Sequence, residues 1–372
     1  MWLFIIAGVC VFLAYIAGLI YISVKTSRSV LMRRITKGRK KSALLLCLVL
    51  FLLLTGVLWL LLNWTNALII MIHLYCFWLI CDFVSFLVKK IRKKEPKRYV
   101  VPVVAMLLCA VYLTYGWISL HKVQQTNYEL TTAKLTEELR VVHFADSHVG
   151  VTFGGEGLLK YVEEINRLNP DIVVITGDFV DDSTPAEELR SACDALGKLQ
   201  TRCGVYFVWG NHDRGYYNES SRGWSAKELK ERLIANGVQV LEDQAVQATD
   251  SVYVIGRLDR SDEQRGGRKS ASELLSGLDQ SKYLIVLDHQ PHDFDAEAAA
   301  GADLVLCGHT HGGQFIPILH VGELTGEHDL RYGHEKRGNT DFVVTSGISN
   351  WELQFKTGCI SEYVVIDIKP SH

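Results

Sequence analysis

Apolar residues crowd the first third of this chain and then thin into short runs. Trp2 to Val24, Ser42 to Leu62, Ala67 to Val88 and Tyr99 to Leu120 are nearly continuous apolar stretches, each close to the ~20 residues that a helix needs to cross a hydrocarbon core. Four transmembrane helices are expected. A cleaved signal peptide is the competing reading of the first stretch, but that stretch is longer than the usual run of ~7–15 apolar residues and has no basic segment before it. A retained helix is the better reading.

Beyond Leu139 the apolar runs shorten to Val141–Ala145, Ile172–Thr176, Val205–Trp209, Tyr283–Leu287 and Leu304–Cys307. Runs this short and rich in β-branched residues read as buried strands. Between them, Leu158 to Ile165 repeats apolar residues at helical spacing before Pro170, and Pro185-Ala186-Glu187-Glu188 opens another helix with proline and acids in its first turn. Strand and helix therefore alternate at about thirty residues per unit, which predicts a parallel sheet. Open α/β sheets place their sites beyond the carboxyl ends of such strands.

Five polar patterns stand at those ends: Asp146-Ser147-His148, Gly177-Asp178 with Asp181, Gly210-Asn211-His212-Asp213, His289-Gln290-Pro291, and Gly308-His309-Thr310-His311-Gly312-Gly313-Gln314. Any one of them alone is unremarkable, because an isolated Gly-Asp usually marks a turn and a lone histidine on an apolar strand usually packs in a core. Five in order, each after a strand, predict a two-metal hydrolytic site. Two divalent ions ~3.5–4 Å apart supply a nucleophile and cancel charge on phosphoryl oxygens. Asp178 is the expected bridge, since it follows the central strand of the first three and Gly177 permits close backbone approach.

Charge refines the picture. Eight basic residues lie between the first two spans (Lys25, Arg28, Arg33, Arg34, Lys37, Arg39, Lys40, Lys41) and seven between the last two (Lys89, Lys90, Arg92, Lys93, Lys94, Lys97, Arg98). Topogenic loops are the simplest explanation, and by the positive-inside rule they put both termini, and the domain that follows, outside the cytoplasm. Of 39 basic and 41 acidic residues, 15 and 2 precede His121, which leaves 24 against 39 in the remainder. So negative a domain disfavours nucleic acid as a partner. His73 and Asp82 inside the third span raise a functional question, although packing against a neighbouring helix accounts for two such residues. Transport through the spans would call for more polar or broken helices. Cys193 and Cys203 could pair outside the cytoplasm, or remain as free thiols. The expected organisation is a membrane anchor over 1–120, a polar, threonine-rich juxtamembrane linker over 121–138 and a catalytic domain over 139–372.

The order of motifs resembles the calcineurin-like metallophosphoesterase family, over about Leu139 to Ile368. The resemblance implies a four-layer α/β sandwich, two mixed sheets flanked by helices. It implies that Asp146, His148, Asp178 and His311 hold one ion, and that Asp178, Asn211, His289 and His309 hold the other. Imidazole mixed with oxygen suits manganese, iron or zinc. His212 would face the leaving group as proton donor or positive charge, oriented by Asp181, while a hydroxide bridging the ions attacks phosphorus in line. Arg214 and Arg257 are candidate phosphate contacts, and Trp351, Phe355 and Lys356 could offer an apolar wall and one cation.

One position departs from the phosphoprotein phosphatase branch, where an arginine that binds phosphate follows the second aspartate. Asp182 stands there. A substrate with less charge on phosphorus is therefore expected, a phosphodiester or a lipid-linked pyrophosphate of the cell envelope. The Gly308–Gln314 ending, Gly256-Arg257-Leu258-Asp259 and Thr345–Ser349 look like the membrane-associated bacterial branch related to YkuE. A phosphomonoesterase and a metal-binding membrane sensor without turnover are the alternatives, and the retained His212 argues against the sensor.

Overall fold

The computed structural model describes residues 2–93, 100–217, 219–265 and 267–371. Lys94, Lys97 and Arg98 of the second basic segment, and Tyr99 at the expected start of the last span, lie outside the described residues. The chain divides into two compact units, Met1–Gly116 with Glu352–Gln354, and Trp117–Trp351 with Phe355–His372.

The first unit is helical: α1 Trp2–Ser27, α2 Val30–Ile35, α3 Lys40–Leu61, α4 Trp64–Arg92 and α5, which spans Val101–His121. Four of these, α1, α3, α4 and α5, are long and apolar enough to cross a membrane. Asn63 starts α4, its side chain accepting the Asn66 N–H at 2.8 Å. Ile22, Met71 and Trp78 are buried among the helices, whereas Leu60 and Ile91 are 86% and 79% exposed. An apolar exterior around so small a core suits hydrocarbon as the surrounding solvent. The two ionisable residues of the third span have local partners. His73 Nδ1 lies 2.8 Å from the Ile69 carbonyl, and Asp82 pairs with Lys25 at 2.9 Å.

Among the described residues the second unit holds twelve strands: β1 Gln124–Thr132, β2 Leu139–Phe144, β3 Ile172–Thr176, β4 Val205–Val208, β5 Val238–Val240, β6 Gln244–Thr249, β7 Val252–Gly256, β8 Tyr283–Leu287, β9 Leu304–Cys307, β10 Gly333–Arg337, β11 Thr340–Val344 and β12 Glu362–Pro370. One sheet runs β1-β12-β2-β3-β4-β5 and the other β10-β11-β9-β8-β7-β6. β2 to β5 are parallel, as are β7, β8, β9 and β11, while β12 lies antiparallel to β2. Both sheets are mixed, as the family resemblance implies.

Between the sheets lie Val141, Ile172, Val174, Val208, Val254, Ile285, Leu306 and Ile366, all buried. Each such side chain stabilises by about 1.5–3 kcal/mol. The outer face of the first sheet is covered by α6 (Gly155–Asn166), α7 (Ala186–Leu196) and, beyond the single turn α8 (Glu219–Arg222), α9 (Ala226–Ala235). Leu274 and Leu275 of α10 (Ala271–Leu275) and Phe294 of α11 (Phe294–Ala299) cover the second sheet. The layers are helix, sheet, sheet, helix.

Gln124–Thr132 corrects the expectation of a linker. It is a strand, paired parallel to β12 from Gln124↔Glu362 to Thr132↔Pro370. An edge strand buries little on either face, so its sequence lacks an apolar run, and the pairing rests on backbone hydrogen bonds. Cys193 and Cys203 are both unpaired thiols.

Candidate metal centre

Strand register brings the five patterns together. Phe144, Ile175 and Phe207 are level across β2, β3 and β4, and Leu287 is level with Leu306 across β8 and β9. The chain leaves each strand at the same edge. Past the strand ends the loops still pair: the Asp146 N–H donates to the Gly177 carbonyl at 3.0 Å and the His148 N–H to the Asp178 carbonyl at 3.1 Å. The second sheet does the same, with the Gly308 N–H donating to the His289 carbonyl at 3.0 Å.

The approach of these loops is tight enough to exclude side chains. A Cβ at Gly177, where φ is +78°, would stand 2.4 Å from the Gly210 nitrogen, and one at Gly210 would stand 2.2 Å from Asp178 Oδ1. Asp146, His148, Asp178, His309 and His311 all adopt positive φ. So many non-glycine residues in the left-handed region are held there by surrounding structure, a pattern that clusters at functional sites.

Two groups of ligand atoms result. Asp146, His148 and His311 form one and Asp178, His289 and His309 the other, the atoms within each lying within 4.8 Å of one another. Asp178 Oδ2 stands between them, 3.6 Å from His148 Nε2 and 3.2 Å from His289 Nε2. Its other oxygen accepts the His212 N–H at 2.8 Å. Asn211 Oδ1 approaches His289 Nε2 at 3.1 Å. All seven expected ligands thus converge.

Electrostatics separates the histidines. Burial alone would raise Asp178, but His289, His212 and His148 hold its carboxyl well below the usual range. Burial opposes charge on His289 too, yet the Asp178 carboxylate raises it well above its ordinary value. Burial lowers His309 and His311 far below theirs, so both are neutral imidazoles. For Asp146, burial pushes the carboxyl up to about 6.

Divalent cations fit this arrangement. His148 Nε2, His309 Nδ1 and His311 Nδ1 are buried ring nitrogens with no hydrogen-bond partner, a cost of ~1–3 kcal/mol each unless a ligand takes them up. Imidazoles with carboxylates and an amide oxygen are the donor types that manganese, iron or zinc prefer. The Nδ1 of His289 lies 2.7 Å from the Thr176 carbonyl, which directs Nε2 into the cluster.

Residues 139–313 match the family model described as calcineurin-like phosphoesterase. An uncharacterized metallophosphoesterase of Aquifex aeolicus is 30% identical over 213 residues, covering 56% of this chain and 77% of its own. The chain belongs to the calcineurin-like metallophosphoesterase family. A transmembrane protein with metallophosphoesterase domain from Danio rerio is 32% identical across 58% of this chain, which spans about half of that relative's length, 51%. The uncharacterized metallophosphoesterase YkuE of Bacillus subtilis is 24% identical across 68% of this chain and 87% of its own. In this family two divalent metals are the normal complement, and the two ligand groups of this metallophosphoesterase correspond to them.

Other expected contacts are corrected. Asp181 does not reach toward His212 with a hydrogen bond; its Oδ2 lies 2.9 Å from His148 Nδ1. The loops after β2 and β3 run side by side, so the nearest imidazole to Asp181 is on the neighbouring loop. Arg257 is buried and held by Asp288, Glu297 and Asp293 at 2.8, 3.0 and 3.1 Å. Arg214 stacks on Trp209 at 4.2 Å and pairs with Asp262 and Glu242. Carboxylates occupy both guanidinium groups in place of phosphate. Lys356 is fully buried, donating to the Ser346 and Ser349 carbonyls at 2.6 and 2.8 Å, and Phe355 is core.

The sequence reading missed three features. Asp213 accepts four backbone N–H groups, from Asp178, Phe179, Val180 and Gly210, and so ties two ligand loops together. His328 packs edge-on against His309 with centroids 5.3 Å apart. Tyr216 and Trp351 each place a ring centroid 5.1 Å from that of His212. The first carried a signal, an acid directly after Gly-Asn-His, and Trp351 was already a candidate for an apolar wall, whereas the contacts of both aromatics with His212 were not legible.

Proposed function

We propose that this protein is a membrane-bound, extracytoplasmic, two-metal phosphoesterase that hydrolyses a phosphodiester or lipid-linked pyrophosphate. The observation that carries the reading is the position of Asp178 Oδ2 between the histidines of two separate ligand groups. Bound there, two divalent ions would activate water and neutralise phosphoryl oxygens. Asp146, His148, Asp178 and His311 would hold one, and Asp178, Asn211, His289 and His309 the other. Burial lowers the His212 imidazole, and His212 stands beside the bridge with its backbone fixed on Asp178 Oδ1. It supplies a proton, or a dipole, to the departing ester oxygen.

Diester preference rests on Asp182. Its carboxylate accepts the Tyr216 N–H at 2.8 Å and pairs with Arg222 at 3.3 Å, so the position offers no cation to the second charge of a doubly ionised monoester. The extracytoplasmic side rests on the two basic segments between the apolar helices.

The test is hydrolysis of bis-4-nitrophenyl phosphate by the full chain in detergent, stripped of metal and then titrated with manganese or zinc. Turnover that needs metal, exceeds that of 4-nitrophenyl phosphate and vanishes in Asn211→Ala is expected. Full activity in a metal-loaded Asp178→Ala protein sinks the two-metal mechanism, and a preference for the monoester sinks the diesterase. Orientation is read separately, by protease access to the second unit in intact cells.

A further inference from the structure

Beside His212 the protein exposes aromatic surface that its own core does not use. Trp351 is 40% exposed, Tyr216 58% and Tyr217 75%. The His212 ring meets Tyr216 edge-on, at 81°, and Trp351 at 39°. Tyr216 is also tied to the ligand loop, its hydroxyl accepting from Asn211 Nδ2 at 2.8 Å.

This rim is built. Asp182 accepts the backbone N–H groups of both Tyr216 and Tyr217, at 2.8 and 3.2 Å. Behind it Arg222, nearly buried, donates to Asp182, to the Arg214 carbonyl at 3.0 Å and to the Trp224 carbonyl at 2.9 Å, and stacks on Trp224. Gly215, at φ +71°, lets the chain turn over that guanidinium; a Cβ there would lie 1.1 Å from Arg222 Nη1. Five interlocked residues thus present two tyrosines at one spot. Large exposed aromatics held rigidly beside a reactive group mark a binding surface, because a flat ring stacked on them adds ~0.5–1.5 kcal/mol beyond its buried area.

We infer that Trp351 and Tyr216 form a subsite for the leaving group, which selects esters whose departing alcohol carries a flat ring, and that Asp182 is its positioning residue. The inference deepens the reading of the site as a phosphoesterase with His212 on the leaving-group side, and rests on it. Aryl and nucleobase rings share the required flat face; an unringed acyl or alkyl alcohol lacks it.

Two diesters with leaving alcohols of near-equal acidity decide the matter, ethyl phenyl phosphate and ethyl hexafluoroisopropyl phosphate, followed by phosphorus NMR with the metal-loaded full chain. The phenyl ester is expected to be favoured in kcat/KM by roughly three- to ten-fold, chiefly through KM. Trp351→Ala, Tyr216→Ala and Asp182→Ala should each bring that ratio toward one, and Trp351→Phe should keep most of it. Turnover of both esters with no ring preference, or a preference unchanged in Trp351→Ala and Tyr216→Ala, overturns the subsite and leaves the phosphoesterase standing. Turnover of neither overturns both.

Discussion

Asp181 Oδ2 lies 2.9 Å from His148 Nδ1, so the second aspartate of the Gly-Asp-x-x-Asp pattern serves a candidate metal ligand. Burial would lower His148, but the hydrogen bond it donates to Asp181 and the charges of Asp178, Asp181 and Asp146 raise it above its ordinary value. Holding Nδ1–H in this way aims Nε2 at the cluster and makes it a better donor. Asp181→Asn should therefore weaken metal binding by about 10–100-fold, seen in a zinc titration, with kcat restored by excess metal. Full metal occupancy with a lasting loss of kcat would return Asp181 to the role of orienting His212.

Metal should stabilise the fold. The unsatisfied nitrogens of His148 and His309 would gain a partner in the loaded protein, and a ligand at a hundred times its Kd adds about 2.7 kcal/mol. Melting of the second unit should rise by several degrees on adding manganese to chelator-treated protein. An unchanged transition across the titration would argue that no ion binds at this cluster.

Asp213 makes no contact that requires chemistry from it, yet it accepts four backbone donors at 2.7 to 3.1 Å. Asp213→Ala would strand several buried N–H groups, each worth ~1–3 kcal/mol. A loss of about 3 kcal/mol or more in denaturant unfolding is expected, with Asp213→Asn intermediate because one acceptor remains. Wild-type stability in both variants would remove its role as a clamp between loops.

Arg257 offers a contrast between stability and binding. Its guanidinium is paired with Asp288 and Glu297 in the core, and deleting one partner of a buried ion pair costs about 3–5 kcal/mol. Arg257→Met should lower the melting temperature while KM for a diester changes little. A raised KM in a protein of normal stability would restore it as a phosphate contact.

The four apolar helices, the alternation of strand and helix and the seven converging candidate ligands were all legible in one dimension. Membrane spans are written in length and composition, buried parallel strands in short β-branched runs, and ligands in residue types that follow those runs. Sheet pairing then carries the strand ends to one edge whatever the loops do. What lay beyond reading was decided by the paths of those loops and by pairing between segments far apart in sequence. Asp181 meets His148 because two loops run side by side past β2 and β3. Arg257 is lost to the core because Asp288 and Asp293, from the loop between β8 and α11, and Glu297 of α11 arrive beside it. Gln124–Thr132 becomes a strand because β12, more than two hundred residues later, offers it an edge. Local sequence determined which groups could do chemistry; tertiary packing decided which partner each one has, since a hydrogen bond or ion pair depends on distances that only the folded backbone sets.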